Sequence, residues 1–158
     1  MNNNKTVTQS GNIPDETPVL ILDANSSNRM LLSEMICNLC MKPVTVADAT
    51  LALSIIKHVN KMGSPFQLVI LAAEFPSEAD DGFVDKIFQQ IGVENARIIM
   101  IQQHDSGVKE NDERRMITLR WPFDILTMKE SINLVFLRWP MVIPNPPPTA
   151  DVLYQESR

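Results

Sequence analysis

Two cysteines, two histidines and two Arg-Trp pairs are the side chains whose types and spacing invite a chemical reading. Cys37 and Cys40 are three apart, which suits half of a zinc site or a redox pair. No second pair completes a zinc site, and both fall inside an apolar-periodic stretch, so core packing is the expectation. His58 stands with Lys57 and Lys61 on a charged helical stretch and reads as surface. His104 follows Gln102-Gln103 at a strand end and reads as loop. No Ser/His/Asp or Cys/His set has supporting context, and there is no Gly-rich phosphate loop. The Arg-Trp pairs are Leu119-Arg120-Trp121-Pro122 and Leu137-Arg138-Trp139-Pro140, and they hold both tryptophans. Aromatic bulk beside a planar cation supplies binding energy at protein interfaces. Packing of both rings onto the domain is the plainer expectation.

Composition narrows the classes. The chain has 158 residues, 44% hydrophobic and 21% charged, with a net charge of -5. That is ordinary for one globular domain with a sizeable core. The negative charge gives no electrostatic case for a nucleic acid polymer or an anionic membrane as partner. No apolar run approaches the ~18 residues of a membrane span. Residues Met1 to Lys5 lack the apolar core of a secretory signal, and a cytoplasmic, reducing setting is expected.

Strands and helices alternate along the chain. Residues 1–17 are polar and read as a flexible lead. Residues 140–158 hold five prolines and read as a Pro-rich linker or tail. Between them, residues 18–139 form the domain. Val19 to Leu22, Pro43 to Ala47, Phe66 to Leu71, Arg97 to Ile101 and Met116 to Leu119 read as five strands. Asn25, Ser26 or Ser27 can cap a first helix with Met30, Leu31, Leu32, Met35, Ile36 and Leu39 on its apolar side. Asp48 or Thr50 can cap a second helix, ended by Gly63 and Pro65. Phe83 to Ile91 gives a third stripe. Lys109 to Arg115 is a charged run and at best a weak helix. Asp124 can cap the last helix, with Ile125, Met128, Ile132, Val135 and Phe136 facing inward. This pattern predicts an α/β doubly wound parallel sheet, flavodoxin-like, with strand order 2-1-3-4-5. Sites in such sheets lie beyond the carboxyl ends of the strands, here Asp23 to Ser26, Ala72 to Pro76, Gln102 to Asp105 and Arg120 to Phe123.

These segments resemble the receiver domain of two-component response regulators. Val19-Leu20-Ile21-Leu22-Asp23-Ala24, then Asn25 to Arg29, is similar to the opening strand and acidic loop. Phe75-Pro76 with Asp81-Gly82-Phe83 resembles the loop after the third strand. Ala96 to Ile101 is similar to the fourth strand, and Trp121-Pro122-Phe123 stands where Lys-Pro-Phe is usual. Asn28-Arg29, Gly63 to Phe66 and Arg97 to Met100 resemble receivers inside hybrid sensor histidine kinases.

The resemblance implies five working positions: two acids and an aspartate nucleophile that hold a divalent ion, a Thr or Ser, and a Lys. Here they are Asp23, Ala24, Ala72, Gln102 and Trp121, so four of the five are degenerate. The expectation is a non-phosphorylatable pseudo-receiver that is not an enzyme and holds no cofactor or metal. Glu74, Asp80 and Asp81 are not expected to substitute, and Asp23 is expected to accept backbone N–H bonds from its loop. Its partner is expected to be a protein, either histidine kinase catalytic domains or another receiver. The alternative is a small ligand such as a cyclic dinucleotide near the fifth strand. Interface or ligand candidates are Arg114, Arg115, Arg120, Trp121, Arg138 and Trp139.

Overall fold

Three of the five strands carry apolar residues on both of their faces, and this dictates the layering. The structure is a computed structural model that describes residues 13–72, 86, 89–90, 97–102 and 115–140. The strands are β1 (Pro18–Leu22), β2 (Lys42–Val46), β3 (Leu68–Ala72), β4 (Ile98–Gln102) and β5 (Met116–Arg120). They pair in parallel in the order β2-β1-β3-β4-β5. β3 and β4 are buried at every position, whereas the edge strands β2 and β5 are only partly covered. A parallel strand needs a crossover to reach its neighbour, and helices on both faces supply the cover. The predicted fold class and strand order are those observed.

The helices are α1 (Ser26–Asn38), α2 (Ala49–Lys61) and α3 (Ile125–Arg138). Side chains alternate along each strand, so neighbouring residues join opposite cores. Leu20, Leu22, Val69 and Leu71 pack with Ala52 and Ile56 of α2. Val19, Ile21, Leu68 and Ile70 pack with Leu32 and Ile36 of α1 and with Ile132 and Phe136 of α3. The expected inward face of the last helix is correct at Met128, Ile132, Val135 and Phe136, whereas Ile125 is 37% exposed. Met30 and Leu31, expected on the apolar side of α1, also face solvent. The third stripe, Phe83 to Ile91, has none of its apolar residues among those described.

Each helix start is fixed by one side-chain oxygen. Asn25, Asp48 and Asp124 accept from the backbone N–H of Asn28, Leu51 and Thr127 at 2.9, 2.8 and 2.9 Å. These bonds satisfy N–H groups that have no partner within the helix.

Helix ends are fixed by backbone reversal. After α2, Gly63 N–H donates to Asn60 O and Ser64 N–H to Val59 O, both at 3.0 Å, with Gly63 at φ +79°. After α1 the same two bonds recur: Cys40 N–H to Cys37 O at 3.0 Å and Met41 N–H to Ile36 O at 3.1 Å. Buried Met41 and Ile36 belong to one core cluster, the contact that usually accompanies this motif. Cys40 sits in the left-handed position, at φ +64°. Core packing of the cysteines is therefore wrong, since Cys37 and Cys40 are both exposed. Cys37 is a full helical step round from buried Ile36, and Cys40 lies beyond the last turn.

Residues ahead of β1 are bonded to the same corner. Glu16 N–H donates to Cys40 O at 2.7 Å, Lys42 N–H donates to Thr17 O at 3.0 Å, and Ile13 packs on the core.

Further along the same amino-terminal edge of the sheet, Arg97 is fully buried just before β4. Its Nε donates to Trp139 O at 2.6 Å, and its Nη1 donates to Gln67 O at 3.0 Å and Gln67 Oε1 at 3.2 Å. The guanidinium lies 4.4 Å from the centre of the Phe136 ring. Burial, with the like charge of Arg115 added, lowers its pKa to about 10. It is therefore a cation at neutral pH. The folded chain holds this proton less firmly than the unfolded chain, so the cost is constant below about pH 10 and relieved only above it.

Two stability predictions follow from these contacts. Arg97→Ala leaves two part-buried carbonyls without their donor and opens a cavity, and should cost about 2–4 kcal/mol in urea unfolding. An unchanged midpoint would show that the guanidinium holds nothing. Cys40→Gly should raise stability by about 1 kcal/mol in the same assay, because glycine carries no Cβ penalty at positive φ. A loss of stability would contradict the backbone assignment.

Candidate functional site

Because all five strands are parallel, their carboxyl ends share one edge. Asp23 follows β1, Ala72 ends β3, Gln102 ends β4 and Trp121 follows β5. The strand registers Leu22↔Leu71, Ala72↔Ile101 and Gln102↔Arg120 keep these ends level. The sheet thus gathers the positions expected from sequence.

Asp23 is buried, at 5% exposure. Its Oδ1 accepts from Asn25 N–H at 2.8 Å, which shapes the turn into α1, and its own N–H donates to Val46 O at 3.2 Å. Its Oδ2 is buried with no hydrogen-bond partner. Ala24 is exposed and Ala72 is 8% exposed, and neither side chain carries an oxygen. Gln102 is buried, and its carbonyl accepts from Trp121 N–H at 2.8 Å, extending the β4–β5 ladder.

A hard divalent ion takes about six oxygen ligands and needs anionic help to shed its water. Among the described residues, this edge offers one open carboxylate oxygen, Asp23 Oδ2. That donor set does not fit magnesium. Among the described residues, no three His, Cys, Asp or Glu side chains gather into a metal site.

Arg29 is a residue whose role the sequence reading did not assign. From the first turn of α1 its Nη1 reaches back to Asp23 O at 2.8 Å and Ala24 O at 3.2 Å. The cation thus holds the loop through its backbone rather than through the Asp23 carboxylate. The only sequence signal was its presence in the Asn28-Arg29 pair.

Trp121 is half-buried, packs on the α1/α3 core and stacks on Phe123, with ring centres 4.4 Å apart and planes 17° from parallel. The Trp121-Pro122 peptide bond is cis. Beside it, Leu119, Arg120, Pro122, Phe123, Asp124 and Thr127 line an open cleft of about 530 Å³. Arg120 is exposed at the end of β5. The backbone hydrogen bond from Thr127 holds the Asp124 carboxyl below its usual range, so the cleft carries an anion as well as a cation.

The remaining candidates lie elsewhere. Arg115 precedes β5, so the strand separates it from Arg120 by roughly 17 Å. Arg138 and Trp139 close α3, at the Arg97 end of the sheet, where Arg138 lies 5.2 Å from the Trp139 ring centre. The two Arg-Trp-Pro pieces therefore occupy opposite ends of the domain and form no common surface. Arg114, Glu74, Asp80, Asp81 and His104 lie outside the described residues. His58 is exposed on α2, as expected.

Comparison with solved structures identifies the fold. The chain is similar to the receiver domain of the hybrid histidine kinase CckA, with a TM-score of 0.60 at 17% identity, over 75% of this chain and 97% of that one. It is similar to a response regulator receiver domain protein from Clostridium thermocellum, with a TM-score of 0.63 at 18% identity, over 77% and 95%. It is also similar to the chemotaxis protein CheY4 of Vibrio cholerae, with a TM-score of 0.61 at 21% identity, over 75% and 98%. No family model matches the chain, and no curated protein matches it in sequence. The chain has the receiver-domain fold.

The orphaned oxygen makes Asp23 testable. Asp23→Ala removes one hydrogen bond but also a buried oxygen without a partner, and these terms oppose each other at about 1–2 kcal/mol each. Unfolding free energy should therefore change by less than about 1 kcal/mol. A loss well above that would show that Oδ2 has a strong partner.

Proposed function

We propose that this chain is a receiver-like regulatory module of two-component signalling that is not phosphorylated and works by protein contact. Its partner in this reading is a histidine kinase catalytic domain or another receiver, which the module holds or releases. The observation that carries the reading is Ala72 at the end of β3, where the resemblance places the nucleophile. A methyl group offers no oxygen to phosphorus, and the neighbouring Ala24 and Asp23 do not make up a magnesium site. In this reading the chain is no enzyme. Among the described residues no helix is long and apolar enough to cross a membrane, which agrees with a module acting on another domain.

The contact face in this reading is the cleft beside β5. Arg120 and Asp124 present opposite charges there, while Trp121 and Phe123 supply stacked aromatic area. Mixed charge around an aromatic centre suits a protein surface. A cyclic dinucleotide is less favoured on three counts. Asp124 opposes its phosphates, Phe123 covers one face of Trp121, and Arg115 is a strand length away.

Two measurements test these readings. Incubation with acetyl phosphate and magnesium, followed by intact-mass analysis, should show no added phosphoryl group. A stable gain of one would sink the proposal. Calorimetry against a panel of cyclic dinucleotides should show no heat of binding. Binding that is lost in Arg120→Ala would replace protein contact with ligand sensing.

A further inference from the structure

α1 and α2 end with the same backbone motif, but α2 places Gly63 at the left-handed position and α1 places Cys40 there. A side chain at that position costs about 1 kcal/mol. Cys40 is one of only two cysteines in the chain. The other, Cys37, supplies the carbonyl that the Cys40 N–H reaches at 3.0 Å. Both are exposed, and both line one shallow pocket with Asp15, Glu16 and Lys42.

We infer that Cys37 and Cys40 are a redox modification site that closes into a reversible intramolecular disulfide at the end of α1. This goes beyond the proposed signalling role and uses a different corner of the domain. The oxidant is a low-molecular-weight disulfide, RSSR. One cysteine sulfur attacks RSSR and expels RS⁻, which takes up that cysteine's proton and leaves as RSH. The second cysteine sulfur attacks the protein-side sulfur of the mixed disulfide and expels the second RS⁻, which leaves as RSH with the second proton. The RSSR bond breaks, one protein S–S bond forms, and the protein loses two hydrogens to two RSH.

The turn supports closure. A backbone bond from residue i+3 to residue i holds the two Cα atoms within about 7 Å, next to the ~4.4–6.8 Å that a disulfide spans. Side-chain rotation and a slight tightening of the turn complete the approach. Thiols that respond to oxidants are solvent-accessible and have a second thiol at hand, as both are here. The closed loop is too short to restrain the unfolded chain by much, so the bond is no structural staple.

The consequence is local. Cys40 O accepts the Glu16 N–H at 2.7 Å, and Lys42 N–H holds Thr17 O at 3.0 Å. Tightening the turn moves the acceptor that ties residues 13–17 to the domain. Oxidation thereby loosens the segment that leads into β1.

The test treats the full chain with glutathione disulfide, quenches with iodoacetamide and reads the intact mass. The expected product lacks two hydrogens, takes up no alkyl group and returns to the starting mass with dithiothreitol. Cys37→Ser should stop at one glutathione adduct on Cys40, and Cys40→Ser at one adduct on Cys37. In the oxidised wild type, amide exchange at Glu16 should quicken by about tenfold. Two alkyl groups, two glutathione adducts or a disulfide-linked dimer would overturn the pair assignment. Unchanged exchange at Glu16 would overturn the coupling to the leading segment.

Discussion

Parallel pairing is the constraint on which the rest of this domain depends. No parallel strand can be joined to its neighbour by a hairpin, and among the described residues α2 covers one face of the sheet while α1 and α3 cover the other. That cover permits β1, β3 and β4 to carry apolar residues on both sides. It also sends every strand in the same direction. The carboxyl ends of the strands share one edge, and their amino ends share the other. Asp23, Ala72, Gln102 and Trp121 share a neighbourhood for this reason, while Arg97 and Trp139 share the other.

The two alanines at this edge, Ala24 and Ala72, shape its energetics. A cluster of acids at one strand edge repels itself unless a cation is bound. Alanine at positions 24 and 72 adds no charge to such a cluster. Among the described residues of this edge, the buried carboxyl group is that of Asp23, fixed through one oxygen to Asn25 N–H. The loop is then held by this bond and by Arg29, which binds carbonyls rather than the Asp23 side chain. Near β5, stacking of Trp121 on Phe123 supplies apolar contact. Among the described residues, the edge is thus held by packing and backbone bonds.

The fold was legible in the sequence because its signals are local. Short apolar runs marked the strands, and Asn25, Asp48 and Asp124 marked the helix starts. The resulting sheet order is the observed one. Burial around the helices was less legible. Cys37 falls in an apolar-periodic stretch, but only a quarter-turn separates it from buried Ile36, and periodicity does not resolve which residue faces inward. Met30 and Leu31 failed for the same reason. Arg97 was invisible as an anchor, because its partners are the backbone oxygens of Gln67 and Trp139, far away in sequence. The candidate site was legible where strand ends define it. It was not legible across the domain, where the fold sets the two similar Leu-Arg-Trp-Pro pieces at opposite ends.

That separation shapes how the domain is wired to its surroundings. Trp139 closes α3, and Arg97 pins its carbonyl into the sheet through a buried cation. The segment before β1 is held at another corner, through the carbonyl of Cys40 and the N–H of Lys42. Neither attachment touches Ala72 or Trp121. Among the described residues, a contact at the β5 cleft would therefore reach residues 13–17 or Trp139 by shifting α3 or the sheet. The buried guanidinium resists such a shift, since moving Trp139 away from it leaves a desolvated charge with one fewer acceptor. The Cys40 turn is the softer of the two attachments, because its backbone already sits in a strained region and its side chain is exposed. Of the two ends, then, the leading segment is the one the fold leaves open to adjustment, and the α3 end is the one it fixes.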